Sequence, residues 1–142
     1  MNKVFVDTDV ILDLFIRREP HHGEALRLFT ELKRSKTKCF TSPIVLANTY
    51  YLLSKIKDKR YAIDRIKKLR KLISVAAIDE PMMDAAIASP NRDFEDSIQY
   101  NCALANGLGT IITRNTKDFP KGKLGIANPG EYLNSASMRR LT

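Results

Sequence analysis

Tryptophan is absent from the 142-residue chain, and aromatic residues make up only 8% of it. Reading a nucleic acid base by base on stacked rings is therefore disfavoured, which leaves backbone and shape contacts. Cysteine is scarce too. Cys39 and Cys102 lie far apart in apolar segments, which argues against a disulfide framework or structural zinc and makes both reduced core thiols. The two histidines, His21 and His22, adjoin at a helix start with no ligand-spaced partner, so they read as exposed loop residues. No serine, histidine and aspartate set is placed for acyl transfer. No apolar run reaches membrane-span length, and Met1-Asn2-Lys3 leads straight into a short strand, unlike a signal peptide. A soluble cytoplasmic protein without a membrane partner is expected. With no repeat or low-complexity linker, residues 1–142 read as a single domain able to bury its own core.

Acids are the last scarcity: 16 Asp plus Glu stand against 24 Lys plus Arg, for a formal charge of +8. A positive surface suits a polyanion. Where the few carboxylates fall is therefore informative. Lys3 to Val6 is a short β-favouring run closed by Asp7, and Asp9 can cap the helix whose apolar residues are Val10, Ile11, Leu14 and Phe15. A second helix carries Ala25, Leu26, Leu28, Phe29 and Leu32 and ends near Lys36. Lys38 to Thr41 reads as a strand, then Ser42 caps and Pro43 opens a third, very apolar helix through Leu53, expected to be central and buried. From Asp58 to Ile73 a basic amphipathic helix is expected, with Tyr61, Ile63, Ile66, Leu69 and Leu72 on its apolar face. Ser74 to Ile78 is a strand, Asp79-Glu80-Pro81 starts a short helix to Ala88, and Ser89-Pro90-Asn91 is a loop. Phe94, Ile98, Cys102, Ala105 and Leu108 trace one side of a helix stopped by Gly107 and Gly109, before strands at Thr110 to Thr113 and Leu124 to Ala127.

Strands separated by helices imply an α/β fold with a parallel sheet of four to five strands and helices on both faces. Ligands in such sheets gather beyond the carboxyl ends of the strands. Asp7 follows the first strand there, and Thr113 to Asp118 follow the fourth. Asp93 and Asp96, three residues apart at a helix start, share a face and suit the helix dipole. Magnesium and manganese take oxygen ligands, a few carboxylates plus water and phosphate oxygens, so Asp7, Asp96, Asp118 and Asp93 are the candidate ligands. Thr8, Thr113 and Asn115 are candidates to orient them. A bound ion would activate water against a phosphodiester. Plainer roles stand beside these: Asp9 and Asp79 as helix caps, Asp118 as a turn brace, and Asp13, Asp58, Asp64 and Asp84 as helix-surface residues.

Three ordered segments carry a family resemblance: Val4-Phe5-Val6-Asp7-Thr8-Asp9-Val10-Ile11-Leu12-Asp13, then Asp93-Phe94-Glu95-Asp96-Ser97-Ile98-Gln99, then Ile112-Thr113-Arg114-Asn115-Thr116-Lys117-Asp118-Phe119. The chain resembles PIN domains, most closely the VapC-type toxins of toxin-antitoxin pairs. The resemblance implies a three-layer PIN-like sandwich and a ribonuclease dependent on Mg²⁺ or Mn²⁺. It makes Asp7, Asp96 and Asp118 catalytic acids with Asn115 beside them, and it implies a homodimer and a small antitoxin partner. Two positions depart from the pattern: Asp9 stands where the family commonly has asparagine, and Asn48 where it usually presents a glutamate; by the resemblance both would support the metal ligands from beside them. Asp93 could compensate for the second.

Single-stranded or looped RNA is the expected substrate, with Arg17, Arg18, Arg114 and Lys117 as phosphate contacts. The basic helix from Lys55 to Lys71 serves equally as a solvated outer face. The main rival is a PIN-like module that binds RNA or an antitoxin without cutting. A phosphoacceptor receiver domain would use Asp7, Asp9 and Asp79, but its regular alternation of strand and helix fails here. A haloacid-dehalogenase-like phosphatase starts similarly, yet the chain is short for it.

Overall fold

The computed structural model describes residues 2–89 and 93–141. Pro90 and Asn91 of the expected loop therefore lie outside the described residues. Five strands, β1 (Lys3–Val6), β2 (Lys38–Thr41), β3 (Ser74–Val75), β4 (Thr110–Ile112) and β5 (Gly125–Ala127), form one parallel sheet in the order β3-β2-β1-β4-β5. Every pairing is parallel, with Phe5 opposite Phe40 on one side and Ile111 on the other. Val4, Phe5 and Val6 are all buried although consecutive strand residues face opposite ways, so both faces of the sheet are covered.

The helices are α1 (Thr8–Phe15), α2 (His21–Arg34), α3 (Pro43–Ile56), α4 (Lys59–Leu69), α5 (Glu80–Ala88), α6 (Phe94–Ala105) and α7 (Pro129–Leu141). The chain steps from β1 to β2 to β3 in one direction, then crosses back past β1 to β4. Right-handed crossovers place α1 to α4 on one face and α5 with α6 on the other, which makes a three-layer α/β sandwich. The reversal of strand order between β1 and β4 opens a crevice at their carboxyl ends, where ligands collect in such sheets.

Local chemistry explains most boundaries. Ser42 accepts from Val45 N at 3.1 Å, Asp58 from Tyr61 N at 2.7 Å and Asp79 from Met82 N at 3.0 Å, each capping the helix that follows. Phe5, Ile11, Leu28, Leu53 and Ile111 are fully buried, each burial worth about 2 kcal/mol. Cys39 and Cys102 are free buried thiols, and burial pushes them up to about 12 and about 11.

Several expectations are revised. The third helix is only one-sided in its burial: Val45, Thr49 and Leu53 face the core, while Tyr51, Leu52 and Ile56 are exposed. In α4 the inward residues are Ala62 and Leu69, and both Ile63 and Leu72 are exposed. In α6 they are Ile98, Gln99, Cys102 and Ala103, with Phe94 and Ala105 turned outward. The strand from Ser74 is shorter than expected, because its neighbour β2 ends where Ser42 begins a helix; only Ala76 N extends the ladder, to Thr41 O at 2.8 Å. α7 was not anticipated. Asn128 and Glu131 cap it reciprocally, at 2.9 and 2.8 Å, ahead of Pro129 in its first turn.

Candidate active site

Asp7 leaves β1 in extended geometry and becomes the N-cap of α1, accepting from Thr8 N at 2.8 Å. Its other oxygen accepts the Thr113 hydroxyl at 3.0 Å across the crevice. Thr113 in turn accepts Asn115 N at 3.1 Å, so the residues after β4 are organised around the acid that follows β1. Asp7 is buried, and its proton affinity rises to about 6 through burial and the neighbouring charges of Asp9 and Glu95, against the pull of the Thr8 and Thr113 bonds.

Asp9 is not the cap of α1. It lies within the first turn, and Oδ2 accepts Arg114 N at 3.0 Å from the far side of the crevice. Oδ1 is buried with no hydrogen-bond partner among the described residues. A carboxylate oxygen removed from water without a donor is costly unless a cation or bound water meets it. Burial raises the proton affinity of Asp9, partly offset by the Arg114 N–H and charge.

Because α6 leads into a parallel strand, it runs opposite to the strands and starts at their carboxyl edge. Asp93 is its exposed N-cap and accepts from Asp96 N at 3.0 Å, which commits one of its oxygens to the helix. Asp96 is half-buried and raised to about 7, first by burial, then by Asp7, Asp93, Asp118 and Glu95. Such mutual repulsion places these carboxylates in one neighbourhood. Asp118 ends a short 3₁₀ turn (Thr116–Asp118) and is exposed to solvent. Among the described residues, no three aspartate, glutamate, histidine or cysteine side chains close into a ready metal cage. A Mg²⁺ ion needs no such cage, since it keeps several waters and is held through one or two carboxylates plus substrate phosphates.

Glu95 was not singled out by its sequence position, since adjacent helix residues do not face the same way. It nevertheless acts electrostatically on both Asp7 and Asp96, and its Oε2 accepts the Asn48 amide from α3 at 3.3 Å. Asp13 is likewise no surface residue. It is buried, carries an ion pair with Arg114, and its carbonyl accepts His22 Nδ1 at 2.9 Å. His22 is accordingly half-buried rather than exposed. Arg114, expected to meet phosphate, is held by Asp13; Arg17, Arg18 and Lys117 are exposed. Beside this pair, Asp13, His21, Glu24, Asn115 and Asn128 help line a cleft of about 250 Å³. Lys55, Lys57 and Arg65 lie over Tyr51 or Tyr61 rings, and Arg65 and Lys68 pair with Asp64, as on a solvated outer face.

Residues 3–117 match the PIN domain, and the chain belongs to that family. Ribonuclease VapC1 of Aquifex aeolicus (strain VF5) is 30% identical over 135 residues, which cover 92% of this chain and 92% of that protein. Among solved structures, a toxin-antitoxin complex from Klebsiella pneumoniae contains a chain matching with a TM-score of 0.68 and 23% identity, covering 89% of this chain and 97% of that one. Mycobacterium tuberculosis VapC20, a toxin that cleaves the sarcin-ricin loop, matches with a TM-score of 0.61 and 22% identity, covering 76% and 86%. These structural likenesses concern the fold. Among the described residues, no helix is long and apolar enough to cross a membrane.

Proposed function

We propose that this protein is an endoribonuclease dependent on Mg²⁺ or Mn²⁺, of the VapC kind. The observation that carries the reading is the carboxylate group at the β1–β4 crevice: Asp9 beside Asp7 leaves a buried oxygen unmatched, Asp9 raises the proton affinity of Asp7, and Asp7 raises that of Asp96. Acids arranged at such a disadvantage suit a cation that the protein does not itself supply. Asp7, Asp96 and Asp118 would hold it, with Asp93 near enough to add charge. When bound, the ion lowers the pKa of a water and neutralises charge building on the phosphate.

The chain's own residues prepare that site. Thr113 fixes the rotamer of Asp7 and Arg114 N–H fixes Asp9, so neither acid has to be ordered when a substrate arrives. Arg17, Arg18 and Lys117 are exposed cations suited to RNA phosphates. The kinship with Ribonuclease VapC1 supports RNA as substrate, and the toxin-antitoxin setting of the Klebsiella match supports a small antitoxin partner. A homodimer fits the same reading.

One observation favours a second reading: Asn48 brings an amide where a carboxylate would add charge, as in a module that binds RNA without cutting it. A single paired assay separates the two. Cleavage of a structured RNA in Mn²⁺, abolished by EDTA and by Asp7→Asn or Asp96→Asn in folded protein, supports the enzyme. Salt-dependent RNA binding indifferent to chelator, with no cleavage, overturns it.

A further inference from the structure

Asn48 and Glu95 face each other across the gap between α3 and α6, with Nδ2 donating to Oε2 at 3.3 Å. That spacing is fixed from below. Ser42, the cap of α3, donates to Gln99 at 2.6 Å in a fully buried bond, and Gln99 stands one helical turn beyond Glu95 on the same side of α6. The two helices are thus pinned where α3 begins, and the Asn48 amide can meet only a group presented by the first turn of α6. Glu95 presents one.

We propose that Glu95 is a further carboxylate of the metal site, and that Asn48 is the positioning residue that holds it there. The inference rests on the metal-dependent reading above. The charge absent from α3 at Asn48 is restored from α6, with the amide donor turning the carboxylate inward. Glu95 lies in the first turn of α6 beside Asp96, so the Asn48 bond holds it at the carboxyl edge of the sheet, where Asp7 leaves β1. Asp93, the other acid available to compensate, is engaged as the helix cap.

The test uses the full-length protein and Mn²⁺ alone, with affinity read by calorimetry or by electron paramagnetic resonance of free Mn²⁺, and each variant's melting point recorded. Glu95→Gln is expected to weaken Mn²⁺ binding by about tenfold or more with a metal-free melting point no lower than the parent's, because the side chain is exposed. Asn48→Ala is expected to weaken it less. In the double variant N48E/E95Q the amide and carboxylate trade places across the same gap, and most of the lost affinity is expected to return.

Glu95→Gln binding Mn²⁺ like the parent, while Asp7→Asn loses it, overturns this inference and leaves the metal-dependent reading standing. So does a loss on Asp93→Asn that Glu95→Gln does not share, or a double variant no better than Glu95→Gln. A parent protein that fails to bind Mn²⁺ defeats the broader reading instead.

Discussion

Arg114 grips Asp13 with two prongs, Nε to Oδ2 at 2.8 Å and Nη2 to Oδ1 at 3.3 Å; the carboxylate is 4% exposed and the guanidinium 33%. The same residue's backbone N–H holds Asp9. One position thus ties the loop after β4 to two turns of α1. Removing Arg114 leaves a buried charge uncompensated, and because the guanidinium is partly solvated the loss should fall at the lower end for such pairs. Arg114→Ala is expected to lower stability by about 2 kcal/mol, or roughly 6 °C in melting temperature. Adding Asp13→Asn should recover part of that loss. A calorimetric double-mutant cycle showing simple additivity would contradict the coupling.

The Thr113 hydroxyl is the next link, and Thr113→Val removes it without emptying the space. One of its two bonds pulls the Asp7 proton affinity down, so that affinity should climb further above about 6. A stability loss of about 1 kcal/mol should accompany it. Carboxyl titration by NMR checks the first, and Mn²⁺ affinity should suffer more at pH 6.5 than at pH 8. An Asp7 titration unmoved by the substitution would remove Thr113 from the site.

Asp7 and Asp96 hold protons to about 6 and about 7, against 3.8 for an ordinary aspartate. Between those limits the native state binds more protons than the unfolded chain, so the slope of stability with pH is negative. The metal-free protein should therefore lose stability as pH rises from about 4 to about 8, with Asp9, Asp93, Glu95 and Asp118 supplying the opposing charge. Asp96→Asn should flatten the curve, and Mn²⁺ should restore the loss at pH 8. Melting curves across that range decide it, and a metal-free protein most stable at pH 8 would be the contrary result.

Arg17 and Arg18 are expected to meet phosphates. Each contact removed from a single-stranded substrate should reduce the slope of log affinity against log salt by about 0.7. Filter binding of Arg17→Ala and Arg18→Ala at several salt concentrations measures this, and unchanged slopes would place the RNA elsewhere.

How far these features could be read beforehand depended on how local their causes are. Ser42, Asp58 and Asp79 announce their helices because the bond each makes lies three residues away. Asp7, directly after an apolar run, marks the site because strand ends are where α/β sheets bind ligands. The cap reading of Asp9 and the surface reading of Asp13 fail for the opposite reason: their partner Arg114 is more than a hundred positions off, and nothing near them records it. Glu95 went unnoticed because its partner Asn48 is on another helix. For α7 the signal is local, in Asn128-Pro129-Gly130-Glu131, although the sequence reading stops at the strand before it.

The bond from Thr113 to Asp7 joins positions 106 apart in the chain. During synthesis the first half of the crevice is made early, and its other wall emerges only after the chain has grown past Thr113. Until β4 slots in beside β1, a growing chain carries acids but no assembled centre. Under the proposed reading, no cutting centre exists on a nascent chain before that pairing is made.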